Sequence, residues 1–177
     1  DLPQRYCAFL EAHIEQGNRL ETEGMRIGVV TSIVAIWQYR ITFEGDQNHA
    51  GTTRMSVRRD AGKALMRLWQ RIEEAFPALA GPDSVWTVGR VTLDPGAPSI
   101  IPGKAGMMFQ FRDADRAILD RLHARLIELV AEANAEGPCT ATLENMAQSS
   151  PALMAAGPRD AVLQAARSLA PAHHLAM

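Results

Sequence analysis

Between about residues 28 and 145 the hydrophobic pattern alternates between a period of two and a period near 3.6, and the order of those changes restricts the fold more than any single motif. Tyr39, Ile41 and Phe43 alternate with Arg40, Thr42 and Glu44, the signature of a half-exposed strand. Ala61, Ala64, Leu65, Leu68, Ile72 and Phe76 then recur at helical spacing up to Pro77, with Ser56 as the expected N-cap. Residues 84–93 return to alternation, Val85, Thr87, Gly89 and Val91 against Trp86, Val88, Arg90 and Thr92. A loop dense in proline and glycine, Asp94 to Gly103, leads into a further strand over 105–112. Asp113 or Asp115 caps a second helix with Ala117, Ile118, Leu122, Leu126, Leu129 and Val130 on one face, running to about Asn134. Gly137-Pro138 ends it and 139–144 alternates again. The order βαββαβ predicts an α+β, ferredoxin-like unit: an antiparallel four-stranded sheet with both helices on one face.

The flanks do not follow that pattern. Residues 2–20 are loosely helical, Gly24 ends a short helical piece, and 151–169 reads as a weaker helix broken by Gly157-Pro158. The expected division is 1–26, 27–145 and 146–177, with the sheet unit inserted into a host domain. The chain begins with Asp1 and ends at Met177 with no polar tail, so it is expected to be a fragment of a longer protein. A net charge of −2 with interspersed signs offers no basic stripe for nucleic acid. No apolar run approaches the ~20 residues of a membrane helix and the N-terminus lacks signal-peptide anatomy, which makes a cytoplasmic setting the expectation. Cys7 and Cys139 have no metal or redox spacing and are expected as reduced, buried thiols.

Against this background Gly45-Asp46-Gln47-Asn48-His49-Ala50-Gly51-Thr52-Thr53 stands out: Asn, His and two Thr between glycines at a strand-to-helix joint. Two readings stand. Asn48 and His49 make a polar turn, or His49 donates a hydrogen bond to a developing oxyanion. His13 is either a surface histidine or a metal ligand with Glu15 and Gln16 behind it. Arg112, at a strand end, is either a surface ion-pair partner or a bidentate clamp on a substrate carboxylate. Ser99, in the proline-glycine loop, is similarly open. His123 falls on the second helix and is expected exposed, and the pair His173-His174 is a weak metal signal. No Walker, Rossmann or Ser-His-Asp pattern is present.

Several stretches together resemble the amidohydrolase branch of the M20 metallopeptidase family. They are Ala12-His13-Ile14-Glu15-Gln16-Gly17, Ile27-Gly28-Val29-Val30, Asn48-His49-Ala50-Gly51-Thr52-Thr53, Arg58-Arg59-Asp60, Thr87-Val88-Gly89, Pro95-Gly96-Ala97 and Ile101-Pro102-Gly103, in that order. The resemblance implies an α/β catalytic domain holding two divalent metal ions, zinc or manganese, interrupted by a ferredoxin-like lid that forms a homodimer. It further implies hydrolysis of a C–N bond in a linear amide, an N-carbamoyl amino acid or a ureido acid such as allantoate, a small substrate with a carboxylate. By the same carry-over His13 is one metal ligand and His49 is the lid histidine that reaches the neighbouring subunit's site, with Asn48 beside it. Arg112 falls where the family keeps a substrate-carboxylate arginine.

Four positions depart from the family pattern, and two of them, Ser99 and Gln38, fall in the pocket. Ser99 stands where a substrate-binding Asn is expected, Gln38 where close relatives carry an arginine at the substrate, Gln110 for an acid two residues before Arg112, and Arg54 for a proline. The resemblance places the remaining metal ligands and the glutamate base outside this stretch, so this chain alone is expected to be inactive. Two alternatives remain at this stage: a dipeptidase or aminoacylase of the same family, and a non-catalytic ferredoxin-like dimerisation module.

Overall fold

The computed structural model describes residues 2–169 and 174–176, and His173 lies outside them. The chain divides into two compact units, Val34–Pro151 and the flanks up to Ile33 and from Ala152.

The first unit is built on β1 (Ala35–Glu44), whose residues alternate so that Ala35, Trp37, Tyr39, Ile41 and Phe43 are buried on one face. Next come α1 (Ala61–Ala75), β2 (Val85–Asp94), β3 (Lys104–Asp113), α2 (Arg116–Glu136) and β4 (Thr140–Gln148). The four strands form one antiparallel sheet in the order β2-β3-β1-β4. β3 buries Ala105, Met107, Phe109 and Phe111 on the same face as β1. Leu65, Leu68 and Ile72 of α1 and Leu119, Leu122, Leu126 and Leu129 of α2 close over that face in a single core. Burial of this stripe, not helix propensity, holds both helices in place.

The helix starts depart from expectation at one end. Residues 55–57 form a short 3₁₀ turn, and the N-cap of α1 is Asp60, not Ser56; its carboxylate accepts from the Lys63 N–H at 2.9 Å. Asp115 caps α2, accepting from the Ala117 N–H at 2.7 Å. Asp113 is instead buried, and its carboxylate accepts from the Asp115 N–H at 2.6 Å and from the Ser84 hydroxyl.

In the flanking unit Ile27–Val29 pairs in parallel with His174–Ala176, and Ser32–Ile33 pairs antiparallel with Ala152–Leu153. Ala156–Leu169 is one helix, not broken at Gly157-Pro158. The proline sits in its first turn, where the missing N–H has no intrahelical partner to lose. Both cysteines are free, but Cys7 is exposed; only Cys139 is buried. None of the described helices is long and apolar enough to cross a membrane.

Candidate functional site

The loop after β1 closes on itself around one imidazole. The His49 Nδ1 accepts from the backbone N–H of Gly51 at 3.1 Å and of Thr52 at 3.2 Å, with the Thr52 hydroxyl also at 3.1 Å. A backbone N–H can only donate, so Nδ1 is an acceptor and the ring proton sits on Nε2. His49 is exposed, which leaves that Nε2–H as an outward donor.

The rest of the turn is equally committed. The His49 N–H donates to the Asn48 Oδ1 at 2.8 Å, and the Thr53 hydroxyl and N–H donate to the His49 carbonyl at 2.7 and 3.2 Å. Gly51 permits the close approach: a Cβ there would stand 3.1 Å from the His49 Cε1. Asn48 and His49 pair with Ile101 and Ile100, and the Ala50 N–H donates to the Ser99 carbonyl at 2.9 Å. The proline-glycine loop is thereby laid beside the histidine turn. His49, Asn48 and Ser99 are brought together.

Gln38 and Arg112 lie elsewhere. Both are half-buried and alternate onto the sheet face opposite the helices. Gln38 stands across from Gln110, and Arg112 across from Ile36 on one side and Val85 on the other. One Arg112 terminal N–H donates to the Gln110 Oε1 at 3.4 Å. The loop of His49 is attached beyond the Glu44–Lys104 pair, with the Gly45 N–H on the Gly103 carbonyl at 2.8 Å. Arg112 pairs with Ile36 near the other end of the same ladder. Eight residues of strand separate the two pairs, about 26 Å. The six candidates therefore form two groups within this unit plus His13 in the flank.

His13 is exposed, and its Nδ1 donates to the Ile14 carbonyl at 2.5 Å. That bond places the lone pair on Nε2, the arrangement a metal-ligating histidine needs. Glu15 does not stand behind it: its carboxylate accepts from the N–H groups of Arg19 at 2.7 Å and Leu20 at 3.1 Å. Gln16 holds a positive φ of 56°. Among the described residues no group of three or more His, Cys, Asp or Glu side chains could hold a metal ion. One histidine alone does not make a metal site.

Two features escape sequence reading. Arg58 donates from Nε to the Thr53 carbonyl at 3.0 Å and from a terminal nitrogen to the Ala50 carbonyl at 2.5 Å, gripping the histidine turn from behind. Its signals in the sequence were its position shortly after the turn and its place in the Arg58-Arg59-Asp60 stretch of the resemblance. His123 is half-buried, not exposed. The Tyr39 hydroxyl donates to its Nδ1 at 2.8 Å and accepts from Gln148 at 2.7 Å, which ties α2 to β1 and β4. Burial pushes the Tyr39 hydroxyl up to about 12, against the lowering effect of the Gln148 bond, and burial lowers His123 below its ordinary value.

The peptidase dimerisation domain of the M20 family matches residues 32–138, well over half of the chain. The chain belongs to that family. A ureidoglycolate hydrolase from Oryza sativa subsp. japonica is 41% identical over 128 residues, covering 70% of this chain and 26% of the relative. An N-carbamoyl-L-amino-acid amidohydrolase from Paenarthrobacter aurescens is 35% identical over 92% of this chain and 39% of its own length. The crystal structure of a hydantoinase/carbamoylase-family amidase from Burkholderia phymatum superposes with a TM-score of 0.88 at 46% identity, over 93% of this chain and 41% of that one. The M20 chain thus spans between about a quarter and two fifths of these relatives.

Proposed function

We propose that this chain is the lid, with adjoining parts of the catalytic domain, of a cytoplasmic, metal-dependent M20 amidohydrolase. The reaction is hydrolysis of a C–N bond in an N-carbamoyl amino acid, a ureido acid or a related linear amide. The observation that carries the reading is the His49 ring, held by two backbone N–H groups so that it presents Nε2–H and nothing else. Such a donor, fixed before the substrate arrives, stabilises negative charge on a carbonyl oxygen at no reorganisation cost. Names of relatives that act on ureido and carbamoyl compounds support the substrate class.

The strand order β2-β3-β1-β4 supports assigning the lid to the ferredoxin-like, split βαβ arrangement. Tyr6, Phe9, Leu10 and Ile14 in the flank are largely exposed, as expected of a segment whose apolar side chains pack on the remainder of a catalytic domain. In that domain His13 would contribute its free Nε2 to one of two divalent ions, zinc or manganese. When bound, those ions polarise the carbonyl and activate water.

Arg112 pairs with the substrate carboxylate, with Gln38 beside it, while Asn48 and Ser99 flank the carbonyl end next to His49. A small ureido acid cannot span the length of strand between the two groups. His49 of one protomer therefore serves the site that contains Arg112 of the other, and the active unit is a homodimer. Ser99, shorter than the Asn of the family pattern, leaves room there for a water or a bulkier substituent.

In the full-length, metal-loaded protein, His49→Ala is expected to lower kcat by roughly 10²–10³ with little change in KM on N-carbamoyl amino acids or ureido acids. An unchanged kcat refutes the role. Turnover of dipeptides or acyl amino acids in preference to these substrates would move the protein to the dipeptidase or aminoacylase branch.

A further inference from the structure

The carbonyl of Ala50 and the N–H of Gly51 belong to one peptide unit, which is planar and rigid. Whatever fixes the direction of that carbonyl also fixes the direction of the N–H. The N–H points at the His49 Nδ1, and the carbonyl is held by the Arg58 guanidinium. A second arm of the same guanidinium holds the Thr53 carbonyl, so the fork closes around Gly51 and Thr52, the two residues whose N–H groups set the ring. Arg58 itself is half-buried. Its neighbour Arg59 has other work, donating to the Pro138 carbonyl at 2.9 Å and lying 3.5 Å from the Asp46 carboxylate.

We propose that Arg58 is the positioning residue of the oxyanion donor: it aims the Gly51 peptide at His49 and so keeps the imidazole proton on Nε2, toward the substrate. The kinetic consequence rests on the catalytic reading of His49, but the tautomeric consequence does not. A lysine brings the same charge but no planar fork, and cannot hold both carbonyls in one geometry.

The test uses the full-length, metal-loaded protein carrying Arg58→Lys or Arg58→Ala, each also combined with His49→Ala. Nitrogen-15 spectra of the histidine rings, with His49 assigned by its loss in His49→Ala, report the tautomer. The wild type is expected to show Nε2–H alone and both Arg58 variants a mixture of tautomers. Displacing a catalytic group by an ångström costs up to about 10²-fold, so kcat is expected to fall about tenfold in Arg58→Lys and about a hundredfold in Arg58→Ala, with KM within about twofold. In the His49→Ala background neither change lowers kcat further. Melting curves identify a variant that fails to fold, and Arg58→Lys keeps the test open in that case. A wild-type tautomer in both variants overturns the proposal, as does an equal loss of kcat with and without His49. A shifted tautomer together with a His49→Ala enzyme of normal kcat upholds the role of Arg58 and removes that of His49.

Discussion

Exchange of subunits between two crippled variants reads out which protomer supplies which half of the site. His49 is attached beyond the Glu44–Lys104 end of the sheet, whereas Arg112 sits near the Ala35–Asp113 end. About 26 Å of strand lies between the Lys104 and Arg112 positions, so on the proposed reading His49 and Arg112 of one protomer serve different substrates. On that reading His49→Ala loses the oxyanion donor, worth roughly 10²–10³ in rate. On the same reading Arg112→Ala leaves a substrate carboxylate without its charged partner, about 2–5 kcal/mol, which appears in kcat/KM. Each homodimer retains at most a few per cent of wild-type activity on either figure.

In a hybrid of the two variants, the site that takes Arg112 from the His49→Ala chain takes His49 from the other, and both groups are intact. The second site of the hybrid lacks both. Random exchange makes half of the dimers hybrids with one good site in two, so the mixture recovers about 25% of wild-type activity, and hybrids purified through two different tags recover about 50%. The assay is release of product from an N-carbamoyl amino acid at subsaturating concentration, after co-expression of full-length chains. If His49 and Arg112 instead acted within one site from one lid, every site in the hybrid would lack one group. Activity no greater than the sum of the two homodimers refutes the composite arrangement.

Gly51→Ala places a methyl 3.1 Å from the His49 Cε1 and 3.5 Å from Nδ1, so the ring or the turn must shift by a few tenths of an ångström. Gly51 is not among the glycines with positive φ, so Ala fits its backbone; kcat is expected to fall about tenfold while stability stays within about 1 kcal/mol, as judged by kinetics and urea unfolding on the same sample. An unchanged kcat would show that the His49 ring tolerates displacement. For His123, burial lowers the folded pKa below the unfolded value of about 6.5. The unfolded chain then binds more protons, so this contribution to stability is complete above about pH 6.5 and is lost as pH falls through the folded value. His123→Asn keeps an acceptor for the Tyr39 hydroxyl without titrating, and its urea midpoint is expected to fall less than that of the wild type between pH 7 and 5. Parallel pH profiles for the two proteins would refute the assignment.

What could be read in the sequence is what is local. The alternation of Tyr39, Ile41 and Phe43 against Arg40, Thr42 and Glu44, and the stripe Leu65, Leu68, Ile72, each depend on one element meeting one core, and both appear in place. Ser56 misled because capping depends on backbone geometry that composition does not encode: a 3₁₀ turn intervenes and Asp60 meets the free N–H of Lys63. His123 misled for a different reason. It borders the buried face of α2, and its partner, the Tyr39 hydroxyl, lies on a strand that the sequence does not place beneath it. The distance between His49 and Arg112 is a product of register, which rests on every pair from Ala35–Asp113 to Glu44–Lys104.

The same contrast bears on how the two halves of the proposed site are built. A hydrogen bond to a developing oxyanion loses most of its value with a displacement of an ångström. The group proposed to make it is placed in a turn whose bonds among residues 48–58 close locally, tied outside to the Ser99 carbonyl and to the Ile100–Ile101 strand. A carboxylate anchor is less exacting, since a guanidinium offers several N–H groups and its attraction falls off slowly with distance. Arg112, proposed for that role, stands on the sheet face opposite the helices, with a 3.4 Å hydrogen bond to Gln110. On the proposed reading, hydrogen bonds are concentrated around the group that must be positioned, and the sheet sets which of its ends each group occupies.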